Sequence, residues 1–335
     1  MEYRRAIIAM LTLAGAVAVA VPTLAQPSAD EVLTAAGFSA DDKQRILAGE
    51  LVSGDVKAVS DRDLSLAMGF IIKTSPDDLA KQTLAGTLSM SDDQITARGE
   101  ISRAGSLQDF AALRLAPGGG DAANAYINAS AGDKLNLATE EIAAFNALRG
   151  QPDATQAVEQ QLRKMLLARY QAYRASGLAG IPPYDRGGKT SEAGTDLGKA
   201  SEAPLLKKYF PAAQQMLARY PKVSAPGLTE TFLWVNYRID DQPTYVLMHL
   251  LSAAEGEARV VIKRQYYVGR TYNAEQAIAG FLPVQQGTLV VYGTHTFSDQ
   301  VAGVGGPAKR GIGRRVMGSK LKEQFEKMRA AAAKQ

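Results

Sequence analysis

Four runs in the last third of the chain, Thr229 to Ile239, Thr244 to Ser252, Arg259 to Val268 and Thr288 to Phe297, are rich in β-branched and aromatic residues, and each predicts a strand. The first three are joined by Asp240-Asp241-Gln242-Pro243 and Ala254-Glu255-Gly256-Glu257, which have turn chemistry. Links this short cannot carry a crossover, so the strands must form an antiparallel meander. A helical or loop segment, Asn273 to Ala279, is expected to interrupt the sheet before its last strand.

A glycine-rich stretch, Gly303 to Gly313, then leads into a final helix. Met317, Leu321, Phe325 and Met328 recur along it at helical spacing, so this face should lie on the sheet. Ile312 and Val316 fall off that stripe, which suggests a first turn that is buried elsewhere or not yet helical.

Toward the N-terminus, residues 28 to 48 read as two short helices, the second opened by Ser39 with Asp41 and Asp42 in its first turn. Leu51 to Val59, Leu64 to Lys73 and Ile95 to Ile101 read as strands, and Ser75-Pro76-Asp77-Asp78 opens a helix to about Leu84. From Thr139 the pattern is helical: one helix to Leu148, a longer one over Ala154 to Ser176 ending at Gly177, and a last one from Pro204 to Arg219. Residues 185 to 202 are rich in Gly, Ser, Thr and charge and are expected to be a linker or hinge.

The expected fold class is therefore α+β, a single unit over residues 26–335. An antiparallel sheet carries a long C-terminal helix, and a helical block, residues 139–222, is inserted between an N-terminal αβ part (28–137) and the C-terminal meander plus helix (228–330). This order of elements resembles the START-type or helix-grip superfamily. The residues that carry the resemblance are Phe70 to Leu79 at one end, and Thr288 to Phe297 followed by Arg315 to Met328 at the other. It covers roughly residues 50 to 100 and 228 to 330 and includes no diagnostic motif. It implies a curved sheet wrapped around the last helix with an apolar cavity between them, and a helical block that is an insertion or a lid. Lipid carriers, binders of aromatic ligands and some enzymes share that architecture, which does not choose among them.

Catalytic motifs are missing from the chain. It has no Cys and two His, His249 and His295, so disulfides, thiolate metal sites and a Cys nucleophile are excluded and no metal or cofactor is expected. No Gly-x-Ser-x-Gly pentapeptide is present, and Gly303 to Gly311 fits neither Gly-x-Gly-x-x-Gly nor the phosphate-loop pattern. Acidic pairs such as Asp77-Asp78 and Asp240-Asp241 sit where helix starts and hairpin turns place them, so they carry no catalytic reading.

What remains points to binding. Trp234, His249, Tyr267 and His295 lie in the predicted strands and are the candidates for lining an apolar pocket with a few polar handles, although they would serve a sheet core equally well. Lys309, Arg310, Arg314 and Arg315 crowd a predicted helix N-terminus, where the helix dipole disfavours positive charge, so they are candidates for contact with an anion or a membrane surface. The segment from Ala308 to Gln335 holds nine Lys or Arg against two Glu in a chain of formal net charge +4, so basic charge is concentrated at this end. An ordinary solvated helix face is the alternative reading.

Residues 1 to 25 have the form of a secretory leader: Arg4 and Arg5, an apolar run from Ala6 to Val21, and small residues up to a cleavage position at Ala25. The run is 16 residues, shorter than the ~20 of a membrane-spanning helix. The chain is thus expected to be exported, to the periplasm or beyond, and soluble after cleavage, which makes nucleic acid an unsuitable partner. The expected function is binding or carriage of an apolar or amphipathic, lipid-like ligand. The alternative is a non-catalytic envelope interaction protein acting through its basic C-terminal helix.

Overall fold

The computed structural model describes residues 27–85, 94–115, 120–132, 134–223 and 227–332; the expected leader and its Ala25 cleavage position lie outside them. Ser28 and Ser39 each form a capping box, with Glu31 and Asp42, and so start α1 (Ala29–Ala35) and α2 (Ala40–Leu47). β1 (Val52–Gly54) and β2 (Asp63–Ile72) follow, then α3 (Pro76–Leu84), capped by Ser75 with proline in its first turn, and β3 (Ile95–Ile101). α4 (Gly120–Ile127) ends the N-terminal part, and the inserted block holds α5 (Thr139–Asn146), α6 (Ala154–Ser176), the small hairpin β4 (Tyr184–Asp185) and β5 (Thr190–Ser191), α7 (Ala193–Ala200), α8 (Pro204–Tyr209) and α9 (Pro211–Arg219). β6 (Thr229–Ile239), β7 (Gln242–Glu255), β8 (Ala258–Val268), β9 (Ala274–Val284) and β10 (Gly287–Phe297) form the meander, and α10 (Gly306–Ala332) closes the described chain.

All these strands except β4 and β5 join one antiparallel sheet in the order β1-β2-β10-β9-β8-β7-β6-β3. The N-terminal strands β2 and β3 thus flank the meander from both sides, and one sheet unites the two ends of the chain. The β6–β7 turn is tight because Asp240 and Asp241 both take positive φ, 49° and 56°, as a two-residue turn that follows strand twist requires.

Helices pack on both faces of the sheet. On one, α1, α2, α8 and α9 pack over Ala67, Ile71, Leu251, Val260, Ile262 and Leu289, while α4 to α7 pack over Phe232, Trp234, Tyr245, Leu247, Tyr266 and Tyr267. On the other, α10 and α3 cover Leu66, Met68, Phe70, Val261, Phe281 and Val290 through Leu79, Met317, Leu321, Phe325 and Met328. The stripe read from the sequence is the face α10 lays on the sheet. A Cβ at Gly313 would lie 3.0 Å from Leu64 Cδ2, so glycine there lets the helix settle close to β2.

The structure corrects several expectations. Asn273 to Ala279 does not interrupt the sheet: Ala274–Val284 is β9, an interior strand. Its Ala, Glu and Gln content favours a helix in isolation, but β8 and β10 take its backbone hydrogen bonds on both sides. Residues 185 to 202 are no hinge. They form the β4–β5 hairpin and α7, and polar side chains among them are engaged in partly buried pairs, Asp196 with Arg62 at 3.1 Å and Arg186 with Asp299 at 2.9 Å. The helix expected over Pro204 to Arg219 is broken at Phe210, because Pro211 has no N–H to continue it. Of Leu51 to Val59, only Val52–Gly54 is strand. The final helix begins earlier than expected, at Gly306, and Ile312 and Val316 lie within it, exposed.

Candidate functional site

α10 crosses the sheet over β2 and β10 and leaves uncovered part of the same face on β9, β8, β7 and β6. Side chains that alternate toward this face form the floor of a groove: Leu233, Val235 and Tyr237 from β6, Met248 and Leu250 from β7, Lys263 and Gln265 from β8, and Glu275 from β9. The near wall is α10, through Val316, Met317, Lys320, Leu321 and Gln324, and Ile95 and Arg98 of β3 bound the far side. The groove has a volume of about 790 Å³. It continues into a recess of about 110 Å³ beneath Phe325 and Met328, floored by Leu250, Val261, Phe281 and Val290.

Polar groups also line the groove, and Lys263 and Tyr292 border the recess as well. Lys263 Nζ lies 2.8 Å from Glu275 Oε1, Tyr272 Oη donates to Gln265 Oε1 at 2.6 Å, and Thr296 Oγ1 lies 3.5 Å from Glu275 Oε2 and 3.7 Å from Met317 Sδ. Burial works against the Lys263 charge, but Glu275 overrides that cost and holds the lysine well above its ordinary pKa. Lys263 therefore stays protonated at neutral pH, unsuited to act as a nucleophile or to form a Schiff base, and suited to pair with or orient a polar group. Burial also pushes Tyr292 up to about 12, so its hydroxyl stays a neutral donor. The arrangement is a trough with apolar residues beside a compensated ion pair and hydroxyls, which matches what an amphipathic molecule presents.

The four residues expected to line a pocket do not line this one. Trp234, His249, Tyr267 and His295 all point to the opposite face of the sheet, beneath the helices. Strand alternation sends Leu233, Met248 and Thr294 to the groove and their neighbours away, and a bulge in β8 opposite Leu247/Met248 turns Tyr266 and Tyr267 both toward the helices. Trp234 Nε1 donates to Asp109 O at 2.8 Å, His295 Nδ1 lies 2.8 Å from Asp63 Oδ2, and Tyr267 sits 4.4 Å beneath the Arg169 guanidinium. The helical block is likewise no lid. No residue of 139–222 touches the groove, and the block covers the reverse of the sheet.

His249 belongs to a buried polar cluster on that reverse face. Arg264, fully buried, donates to Tyr173 Oη at 3.1 Å, and the same hydroxyl lies 3.1 Å from His249 Nδ1. His249 Nε2 lies 3.4 Å from Glu230 Oε2, and Arg174 holds Glu230 from outside at 2.7 Å. Burial lowers His249 to about 4, and the His249 ring with Arg174 lowers Glu230 to about 2. Arg264 also reaches Gln276, Ser201 and the Leu217 carbonyl. Tyr173, His249 and Arg264 are sealed from solvent, and the cluster ties helices to sheet.

The four basic residues separate. Arg310 reaches the carbonyl oxygens of Asp61 at 2.7 Å and Val301 at 3.3 Å, and Arg314 stands 3.9 Å from Asp55 Oδ1, whereas Lys309 and Arg315 are exposed. A second cavity of about 580 Å³ lies at the far end of α10, between Leu47, Ile71, Lys73, Gln286, Glu326 and Arg329; it lacks a counterpart of the Lys263–Glu275 pair.

The groove residues that sequence reasoning missed are Lys263, Gln265, Glu275 and the apolar floor around Met248 and Leu250. One signal was available: Lys263 follows Val260-Val261-Ile262 in a strand otherwise read as buried, and a charge in such a run asks for a partner. Among the described residues no group of three or more His, Asp or Glu could hold a metal, and no helix is long and apolar enough to cross a membrane. No protein family, curated protein or solved structure matches the chain.

Proposed function

We propose that this chain is a binding or carrier protein for an apolar or amphipathic, lipid-like ligand, exported by the leader at residues 1 to 25. The observation that carries this reading is the groove between the sheet and α10, whose floor includes Leu233, Val235, Met248 and Leu250 and which continues into the recess beneath Phe325. Its volume falls within the 300 to 1,000 Å³ common for ligand sites. The tail of the ligand lies toward the recess, over Leu250 and Phe281. Its polar head lies near Glu275, Gln265 and Tyr272, where hydrogen-bonding groups replace the water it leaves. A head group that carries both a donor and an acceptor suits these groups best, because the Lys263–Glu275 pair is already balanced.

Mass spectrometry of an organic extract of the protein purified from its own cells tests the reading. A bound amphiphile at near-stoichiometric yield is expected, together with saturable uptake of a fluorescent fatty-acid analogue by the stripped protein. An empty extract and no uptake would contradict it.

A further inference from the structure

A second surface lies beside the groove mouth. Lys309, Ile312, Val316 and Lys320 follow one another along α10 at steps of three, four and four, so they share one strip of the helix, turned away from the Leu321, Phe325 and Met328 contacts with the sheet. Ile312 is 65% exposed and Val316 53%. Just before the helix, Val304 is 98% exposed, held in a turn between Gly303 and Gly305, whose φ values are +70° and +75°. Around these apolar side chains Lys309, Arg315 and Lys320 make no ion pair among the described residues, unlike Arg310 and Arg314, which are engaged with the protein.

We propose that this strip, with Val304 at its end, is a docking surface for an anionic lipid bilayer. Its charge is of one sign and uncompensated, which an anionic surface satisfies and a neutral one does not. Its apolar groups are few and separated by lysines and arginine, too narrow for a protein interface of ordinary size, about 800 Å² per partner, but suited to shallow insertion between head groups. Long basic side chains can lie along the interface while Val304 and Ile312 enter it. Val316 and Lys320 also edge the groove, so the docked protein would present its groove mouth to the bilayer. Val304, Lys309, Ile312 and Arg315 lie outside the groove lining.

Flotation of the full protein with vesicles of equal parts phosphatidylglycerol and phosphatidylcholine, against pure phosphatidylcholine, tests this. The substitutions Lys309→Glu with Arg315→Glu, and separately Val304→Ser with Ile312→Ser, avoid groove residues, and any leader that is retained is common to all the proteins compared. Binding to the anionic vesicles is expected to fall roughly tenfold or more for the charge reversal. It should fall several-fold for the serine pair, and it should weaken in high salt. Lys309→Gln with Arg315→Gln, which changes no fold contact, should fall between wild type and the reversal. Equal binding of all variants, or binding indifferent to lipid charge and salt, would overturn the proposal. Fatty-acid uptake measured on the same variants should be unchanged. Its absence alongside charge-dependent flotation would count against the groove reading and leave the docking surface standing.

Discussion

Lys263 Nζ stands 2.8 Å from Glu275 Oε1, diagonally across the β8–β9 pair, on a stretch of sheet whose other groove neighbours include Met248, Leu250 and Tyr292. A buried pair of this kind adds little net stability, because the desolvation of both ions offsets their attraction, yet removing one partner leaves the other exposed to that cost. Lys263→Met alone should destabilise the protein by about 1–3 kcal/mol, less than breaking a fully buried pair costs, because the lysine side chain is 31% exposed. The double variant Lys263→Met with Glu275→Leu should recover most of that loss in urea denaturation. The raised lysine pKa has a definite sign: its stabilisation is present below the unfolded value of about 10.4 and disappears only as pH rises through the folded one. The pair is therefore intact at neutral pH.

His249 predicts the acid limb of stability. Burial favours its neutral ring and lowers it from 6.5 to about 4. Between those values the unfolded chain binds more protons than the folded one, so stability is full above pH 6.5 and falls as pH drops toward 4, by on the order of 3 kcal/mol. Glu230, lowered to about 2, continues the loss from pH 4.5 downward. Urea midpoints measured from pH 7.5 to 4.5 should decline for the wild type and decline less for His249→Gln, which has no proton to gain.

Gly99 predicts a spectroscopic effect. A Cβ at this position would overlap the indole of Trp234, its partner across the β3–β6 pair and the single tryptophan of the chain. Gly99→Ala should therefore push the ring off its hydrogen bond to the Asp109 carbonyl, shift its emission to longer wavelength and cost about 1–3 kcal/mol. Unshifted emission would mean that the ring has room the structure does not show.

Much of the architecture was legible because its signals are local. The Ser75-Pro76 start of α3, the turns at Asp240-Asp241 and Gly256, and the Met317, Leu321, Phe325 stripe each depend on a few neighbouring residues, and each stands in the structure where it was read. What was not legible depends on distant parts of the chain. β9 has the composition of a helix and becomes a strand because two neighbours bracket it. The linker-like residues 185 to 202 are ordered by Arg62 and Asp299, far away in sequence. The site suffered most from a question that alternation leaves open, namely which face of a two-sided sheet carries the cavity. Trp234 and His249 were conspicuous by residue type but face the helices, whereas Lys263, Met248 and Leu250, on the intervening positions, face the groove.

The central claim, that the groove under α10 holds an amphipathic ligand with its tail toward Phe325, is tested most directly by photo-crosslinking. A fatty acid bearing a diazirine near the end of its chain would be bound, irradiated and mapped by peptide mass spectrometry. Adducts are expected on Leu250, Val261, Phe281, Leu321 and Phe325, and they should be lost on competition with unlabelled fatty acid. Adducts confined to the helix-covered side around Phe210 and Leu217, to the cavity at Leu47 and Ile71, or scattered without competition, would contradict it.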